Sequence, residues 1–275
     1  MSRNVRLLLI DPQNDFCDLP GPAEPALPVP GAHADMQRVE RLIPELSHLD
    51  RIAITLDSHH RLDVAHPPFW RKADGSSVAP FTEIAARAVR EGEFAPHDPT
   101  LRERVLKYLD ALEARERYTL MVWPIHCEIG TWGHNVHEAV LRASQRWGEA
   151  RGRNVDFFFK GQNPWTEHYS AVMAEVPLAE DPGTLLNHEL IAWVNAAEFL
   201  VVAGEASSHC VRATVEHLLE HLAPRSRDAC DRILLLTDCM SAVPGFEAQA
   251  RDFLDTAQRE GVRLGTSAEA ASLLK

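Results

Sequence analysis

Six short apolar runs, each ending in a polar or glycine-bearing turn, constrain this chain more than any other feature. They fall at residues 5–10, 52–56, 118–122, 155–159, 199–203 and 233–236. They are rich in leucine, β-branched and aromatic residues and show little polar alternation, the pattern of strands buried on both faces of a parallel sheet. Helical spacing appears between them. Residues 34–49 place Met36, Val39, Leu42, Ile43 and Leu46 on one face, and residues 135–146, 211–222 and 248–260 behave alike. Strand alternating with helix implies βαβ units with right-handed crossovers, hence an α/β fold on a mostly parallel sheet. No internal repeat or break in composition marks a second domain. Residues 1–275 read as a single domain with a proline-rich loop at 20–30. An irregular, charged insertion at 61–116 carries one helix, at 100–115.

Composition narrows the partners. With 275 residues, 45% hydrophobic and 25% charged, the chain can bury a sizeable core. Its net charge of -12 argues against nucleic acid, whose binding rests on cations that neutralise phosphates, and against an anionic membrane surface. No stretch approaches the ~20 apolar residues of a membrane span, and the run at 7–10 is too short for a signal-peptide core. The five cysteines (Cys17, Cys127, Cys210, Cys230 and Cys239) are odd in number, scattered, and without a Cys-x-x-Cys pair. They predict a reducing, cytoplasmic setting rather than a disulfide framework.

The chemically capable residues fall where the runs end. Asp11, Asp57, His126, Lys160 and the loop before Cys210 all follow apolar runs, and in an open parallel sheet the carboxyl ends of the strands share one edge where ligand crevices form. Cys210 closes a strand, small-residue turn and helix, Val201 to Val211. A helix N-terminus there favours a thiolate and leaves backbone N–H groups for an oxyanion. Taken alone, a cysteine is more often a small buried hydrophobe. Asp11 is a candidate base that later returns its proton to a leaving amine. Lys160 ends an aromatic strand in a chain with four lysines against 24 arginines, and its ammonium would favour a thiolate or an ionised Asp11. The plain alternative for either is a soluble strand end. Asp57 and His59, two apart in extended chain, point the same way. With His126 they form a mixed N/O set suited to Zn²⁺, Fe²⁺ or Mn²⁺. His60 and His66 are rival or extra ligands among 14 histidines.

Together, Asp11-x-Gln13-Asn14-Asp15-Phe16, Asp57-x-His59, Trp123-Pro124-x-His126-Cys127, Lys160-Gly161 and Gly204-x-Ala206-x-x-x-Cys210-Val211 resemble, in order, the isochorismatase-like cysteine hydrolases. The nicotinamidase branch fits best, over most of the chain from Val5 to Asp238. The resemblance implies a doubly wound sheet of about six strands with helices on both faces, in three α/β/α layers. It implies a catalytic triad of Asp11, Lys160 and Cys210. The amides of Ala206 and Cys210 would form the oxyanion hole, with a cis peptide before Ala206. A divalent metal, zinc foremost with iron or manganese as alternatives, would sit on Asp57, His59 and His126 with water and hold the pyridine nitrogen of nicotinamide. The ring would lie between Phe16 and Trp123. The implied reaction is deamidation of nicotinamide to nicotinate and ammonia through a thioester, in NAD salvage, by a homo-oligomer.

Several positions depart from the family pattern. The segments 61–116 and 143–154 are extra and stand to cover or reshape the pocket. Ser58 replaces a common aromatic. Glu205 takes a position that is usually small and apolar and flanks the oxyanion loop, where a carboxylate would disfavour an anionic substrate or select a cationic one. Three other readings remain open: the same chemistry on another small amide or N-carbamoyl compound, a metal hydrolase in which Cys210 is incidental, and a non-catalytic small-molecule binding module.

Overall fold

The first apolar run becomes the middle of the molecule. In a computed structural model, which describes residues 4–222 and 227–274, the chain opens with β1 (Val5–Ile10), α1 (Ala32–Leu42) and β2 (Leu49–Asp57). The insertion follows as β3 (Trp70–Lys72), β4 (Thr82–Ile84), α2 (Ala86–Glu91), β5 (Phe94–Pro96) and α3 (Arg102–Glu113), leading into β6 (Leu120–Val122). Then come α4 (Glu138–Arg151), β7 (Asp156–Lys160), α5 (His188–Asn195), β8 (Phe199–Gly204) and α6 (Cys210–His221). The chain ends with α7 (Arg227–Asp231), β9 (Ile233–Leu236), α8 (Glu247–Glu260), β10 (Arg263–Gly265) and α9 (Ser267–Leu273).

Six strands form one wholly parallel sheet in the order β10-β9-β8-β1-β2-β7. Leu7, Leu8, Leu9 and Ile10 of β1 and Leu200 to Ala203 of β8 are fully buried, as continuous apolar strands in the centre of such a sheet must be. Helices cover both faces in three layers; α1 packs with α4 and α9, and α6 with α8. The chain winds outward from β1 through β2 to β7, then returns to β8 on the other side of β1. The winding therefore reverses between β1 and β8, where a doubly wound sheet opens a crevice at its carboxyl edge.

Four local expectations change. The run at 118–122 does not join the sheet: β6 pairs antiparallel with β4, and the sixth strand is the short edge strand β10. An apolar run reports burial and not which strand lies beside it. The helix expected over 34–49 stops at Leu42, and a 3₁₀ turn carrying Pro44 follows, because proline has no N–H for a helical bond. The helix expected at 135–146 occupies Glu138–Arg151 and ends on Gly152 in the left-handed region, so most of the extra 143–154 stretch is its last turns. The insertion holds two helices rather than one, around a separate apolar cluster that includes Phe69, Trp70, Ile84, Val105, Leu109 and Leu112. No helix among the described residues is long and apolar enough to cross a membrane. The five cysteines are buried and none is joined in a disulfide among the described residues.

Candidate active site

Strand register brings the first groups together. Ile10 pairs with Gly204 and Asp57 with Lys160 across neighbouring strands. Both junctions require glycine. A Cβ on Gly204 (φ +126°) would lie 2.0 Å from the Ile10 carbonyl oxygen, and one on Gly161 (φ +77°) 2.7 Å from Asp57 Oδ1. Asp11 itself turns into the left-handed region, at φ 45°. One hydroxyl holds it there: Thr55 Oγ1 accepts from Asp11 N at 3.0 Å and donates to Asp11 Oδ1 at 2.5 Å. The rest of the Asp11 motif is scaffolding. Gln13 clamps the backbone of Asp57, with its Oε1 accepting Asp57 N and its Nε2 donating to Asp57 O, both at 2.8 Å. Asp15 Oδ2 accepts Cys127 N at 2.7 Å and so fixes the loop that carries His126.

Lys160 Nζ lies 3.0 Å from Asp11 Oδ2 and 2.9 Å from Asp57 Oδ1, donates to the His168 carbonyl at 3.0 Å, and sits 3.6 Å from Cys210 Sγ. Lys160 thus donates hydrogen bonds to the His168 carbonyl and to Cys210 Sγ and is ion-paired with Asp11 and Asp57; as an ammonium it has no lone pair with which to act as a base. Burial alone would lower its pKa, but Asp11 and Asp57 outweigh that and hold it well above the usual lysine value. Asp11 is raised from the ordinary carboxylate value by burial, against the pull of Lys160. The Cys210 thiol is also raised, first by burial; Lys160 opposes and Asp11 adds to the rise. Desolvation thus opposes the thiolate that the helix N-terminus and the ammonium favour. Oxygens of Asp11 and Asp57 and the Cys210 sulfur all lie within 4.8 Å of one another.

Cys210 is the first residue of α6 and is 6% exposed. The Glu205–Ala206 peptide before it is cis. Among the described residues, the N–H groups of Ala206 and Cys210 donate to no protein acceptor. Glu205 does not face this loop's open side. Its side chain is fully buried beneath the loop, where Oε2 accepts Ser241 N at 3.1 Å. The expectation that its charge selects substrate is corrected: the carboxyl is buried and engaged by the Ser241 backbone.

Next to the triad, Asp57 Oδ2 lies 3.1 Å from His59 Nε2 and 3.5 Å from His126 Nε2. The far nitrogens are tied back, His59 Nδ1 at 3.1 Å from Asp63 Oδ2 and His126 Nδ1 at 2.8 Å from the Pro124 carbonyl. Such tethers fix the tautomer that presents Nε2 to a metal. His66 joins: His59, His66 and His126 each offer a nitrogen within a 4.8 Å group. His66 Nδ1 is 3.1 Å from the His60 carbonyl. His60 is exposed and stands outside the cluster. Burial, then the neighbouring His126 and His59, push His66 down to about 2, which favours the neutral ring with one nitrogen lone pair. Burial disfavours charge on His59, yet Asp57 and Asp63 hold it well above its usual value. Buried His59 Nε2 has no hydrogen-bond partner. A site that demands positive charge and presents imidazole and carboxylate lone pairs fits a divalent metal.

Phe16 stands 5.5 Å from the His126 ring. Trp123 donates Nε1–H to the Tyr169 hydroxyl at 3.0 Å and meets His209 edge-on at 5.2 Å and Phe81 at 6.0 Å. Phe81 belongs to the insertion, so that segment does reach the site. A cavity of about 180 Å³ opens beside the loop before Cys210, lined by Tyr118, Tyr169, Ser208, His209 and Phe246 among others. A larger cleft of about 1020 Å³ lies along the outer edge at Phe157, Phe159 and Trp132 and contains none of the triad. Thr55, Asp63 and His168 carry no signal in the sequence beyond their proximity to the motifs. They act through a hydroxyl, a tether and a carbonyl that only tertiary structure reveals.

No protein-family model matches the sequence, and no curated protein matches it. Solved structures do. A nicotinamidase/pyrazinamidase of Acinetobacter baumannii is 18% identical, with 97% of this chain and 98% of that one covered at a TM-score of 0.60. Yeast nicotinamidase bound to the inhibitor nicotinaldehyde is 15% identical, with 95% and 99% covered at 0.63. A Pyrococcus horikoshii pyrazinamidase in complex with zinc is 19% identical, with 96% and 99% covered at 0.53. At these identities the likeness establishes the fold, and that fold is the one the motifs imply.

Proposed function

We propose that this protein is a cysteine amidohydrolase that deamidates a small aromatic amide, nicotinamide foremost, to the acid and ammonia. The observation that carries the reading is the convergence of Asp11, Lys160 and Cys210 under two unpaired backbone N–H groups. Asp11, a carboxylate raised above its ordinary value, takes the thiol proton as Sγ attacks the amide carbonyl. The N–H groups of Ala206 and Cys210 receive the developing oxyanion. Asp11 passes the proton to the amine, the C–N bond breaks, ammonia leaves, and a thioester remains on Cys210. Asp11 then takes a proton from water, whose oxygen attacks the thioester; collapse releases the acid and restores the thiol. Lys160 keeps its proton throughout and holds Asp11 in place.

Asp57, His59, His126 and His66 are the residues that would hold a divalent ion, zinc first among the candidates. The ion would supply a positive anchor that orients the amide over Cys210. Phe16 and Trp123 would flank the ring. Structures of this fold with nicotinaldehyde, nicotinate and zinc support the reading. Ammonia release from nicotinamide, pyrazinamide, maleamate and N-carbamoyl compounds tests it. Nicotinamide or pyrazinamide should lead, and turnover of N-carbamoyl compounds alone would overturn the substrate assignment. Iodoacetamide should abolish turnover; survival of turnover after complete alkylation of Cys210, with loss on chelation, would favour a metal hydrolase.

A further inference from the structure

Glu205 is a buried acid that the proposed chemistry does not use. Three backbone bonds fix the loop it belongs to: Gly204 N–H donates to the Cys239 carbonyl at 2.9 Å, Glu205 N–H to Ile10 O at 2.8 Å and Ser207 N–H to Ser241 O at 2.8 Å. Its side chain adds a fourth, accepting Ser241 N–H on Oε2 at 3.1 Å. Ser241 is thus gripped twice, through its N–H by Glu205 and through its carbonyl by Ser207. Its hydroxyl makes a third bond, donating to Asp35 Oδ2 of α1 at 2.6 Å. Asp35 Oδ1 is paired with Arg38 at 2.8 Å. Both Asp35 oxygens therefore have donors, whereas Glu205 Oε1 is buried with none. Two carboxyl groups that meet at one serine, out of water, cannot both be ionised without large cost. A proton on Glu205 would give Oε1 a hydrogen to share with the neighbouring Asp35 carboxyl and so satisfy the last open atom.

We propose that Glu205 is a positioning residue that carries a proton shared with Asp35 and thereby pins the Ala206 and Cys210 amides in place. It rests on the reading of those amides as oxyanion donors. Burial, then Asp35, holds Glu205 well above the usual carboxylate value, and burial raises Asp35 as well. The charged and titratable groups around the pair are Asp35 and Arg38 on α1, Cys17 and Asp18 after β1, and Asp238 after β9. Folded Glu205 binds its proton more tightly than the unfolded chain does. Its presence therefore makes folding stability fall as pH rises above the ordinary glutamate range, until the folded group ionises.

The test compares wild type with Glu205→Gln and Glu205→Leu as metal-loaded full chains, using nicotinamide kinetics and thermal unfolding across pH. The Gln side chain accepts Ser241 N–H and donates to Asp35. It should keep kcat within about three-fold and flatten the decline of Tm above the glutamate range. The Leu side chain makes neither bond. It should lower kcat by about ten-fold or more with KM and metal content unchanged, because misplaced oxyanion donors are felt only in the transition state. An unchanged kcat in Glu205→Leu overturns the proposal, and so does a Glu205→Gln variant as impaired as the Leu one. If Glu205→Leu does not fold, the Gln variant decides. If wild type turns over no amide, the reading of function fails on its own account. The Tm slopes then decide the shared proton, and a Gln slope equal to wild type overturns it.

Discussion

Lys160 and His59 stand on either side of Asp57, and the two sides differ in how their polar atoms are satisfied. Around Lys160, one ammonium is held between the Asp11 and Asp57 carboxylates, the His168 carbonyl and the Cys210 sulfur. Around His59, lone pairs of Asp57, His126 and His66 converge with few donors among them, and tethers from Asp63 and Pro124 hold the rings so. The first side is built to keep a charge in place while a proton moves between thiol and carboxylate. The second is built to receive a cation. Asp57 serves both, Oδ1 to the ammonium and Oδ2 to the imidazoles, so it is the residue that the two regions share.

The largest effect that separates the regions is expected at the nucleophile. Cys210→Ala should lower turnover by about 10⁴-fold or more, while zinc content stays at the wild-type level by metal analysis. Loss of zinc in that variant would show that the two sides are not separable at the thiol. Next is Lys160→Met, which leaves Asp11 and Asp57 buried without their counter-charge. It should cost about 3–5 kcal/mol of stability near neutral pH, measured by denaturant unfolding. Without the ammonium, Asp11, already raised by burial, rises further above its unfolded value. It then binds its proton more tightly in the folded state, and the deficit should shrink as pH falls toward the ordinary carboxylate range. A deficit that does not vary with pH would contradict the charge balance assigned to Lys160.

Asp63→Asn should act on the other region alone. Removing the carboxylate that orients His59 should weaken zinc affinity by roughly 10–100-fold, with Cys210 alkylation by iodoacetamide unchanged in rate. The smallest effect is expected at Phe81→Ala. The edge contact with Trp123 is worth about 0.5–1.5 kcal/mol, so KM for nicotinamide should rise a few-fold with kcat unchanged. A fall in kcat would mean that the insertion positions the reacting groups and not only the ring.

The same contrast governs what was legible before folding. Asp11, Asp57 and Lys160 stand at strand ends and Cys210 follows β8 through a short loop, and strand ends in a parallel sheet converge by topology, so their meeting follows from the apolar runs. The second region is reached by loops. His126 follows β6, which lies outside the sheet. His66 and Asp63 belong to the start of the insertion, whose path depends on a separate apolar cluster. Periodicity cannot order such segments, so His66 and His60 were indistinguishable until one proved buried and the other exposed. β10 is three residues at a sheet edge, too short and too exposed to leave an apolar run. Glu205 was noticeable as a residue, but its direction depends on backbone geometry that residue type does not carry.

The account turns on a covalent bond at Cys210. Acid-quenching the wild-type protein during turnover of nicotinamide and measuring the mass of the peptide that contains Cys210 tests it directly. A peptide heavier by one nicotinoyl group, absent when Asp11→Asn protein is treated alike, is the expected result. Ammonia released at the wild-type rate by protein whose Cys210 is fully alkylated, with no nicotinoyl adduct on any peptide, would contradict it.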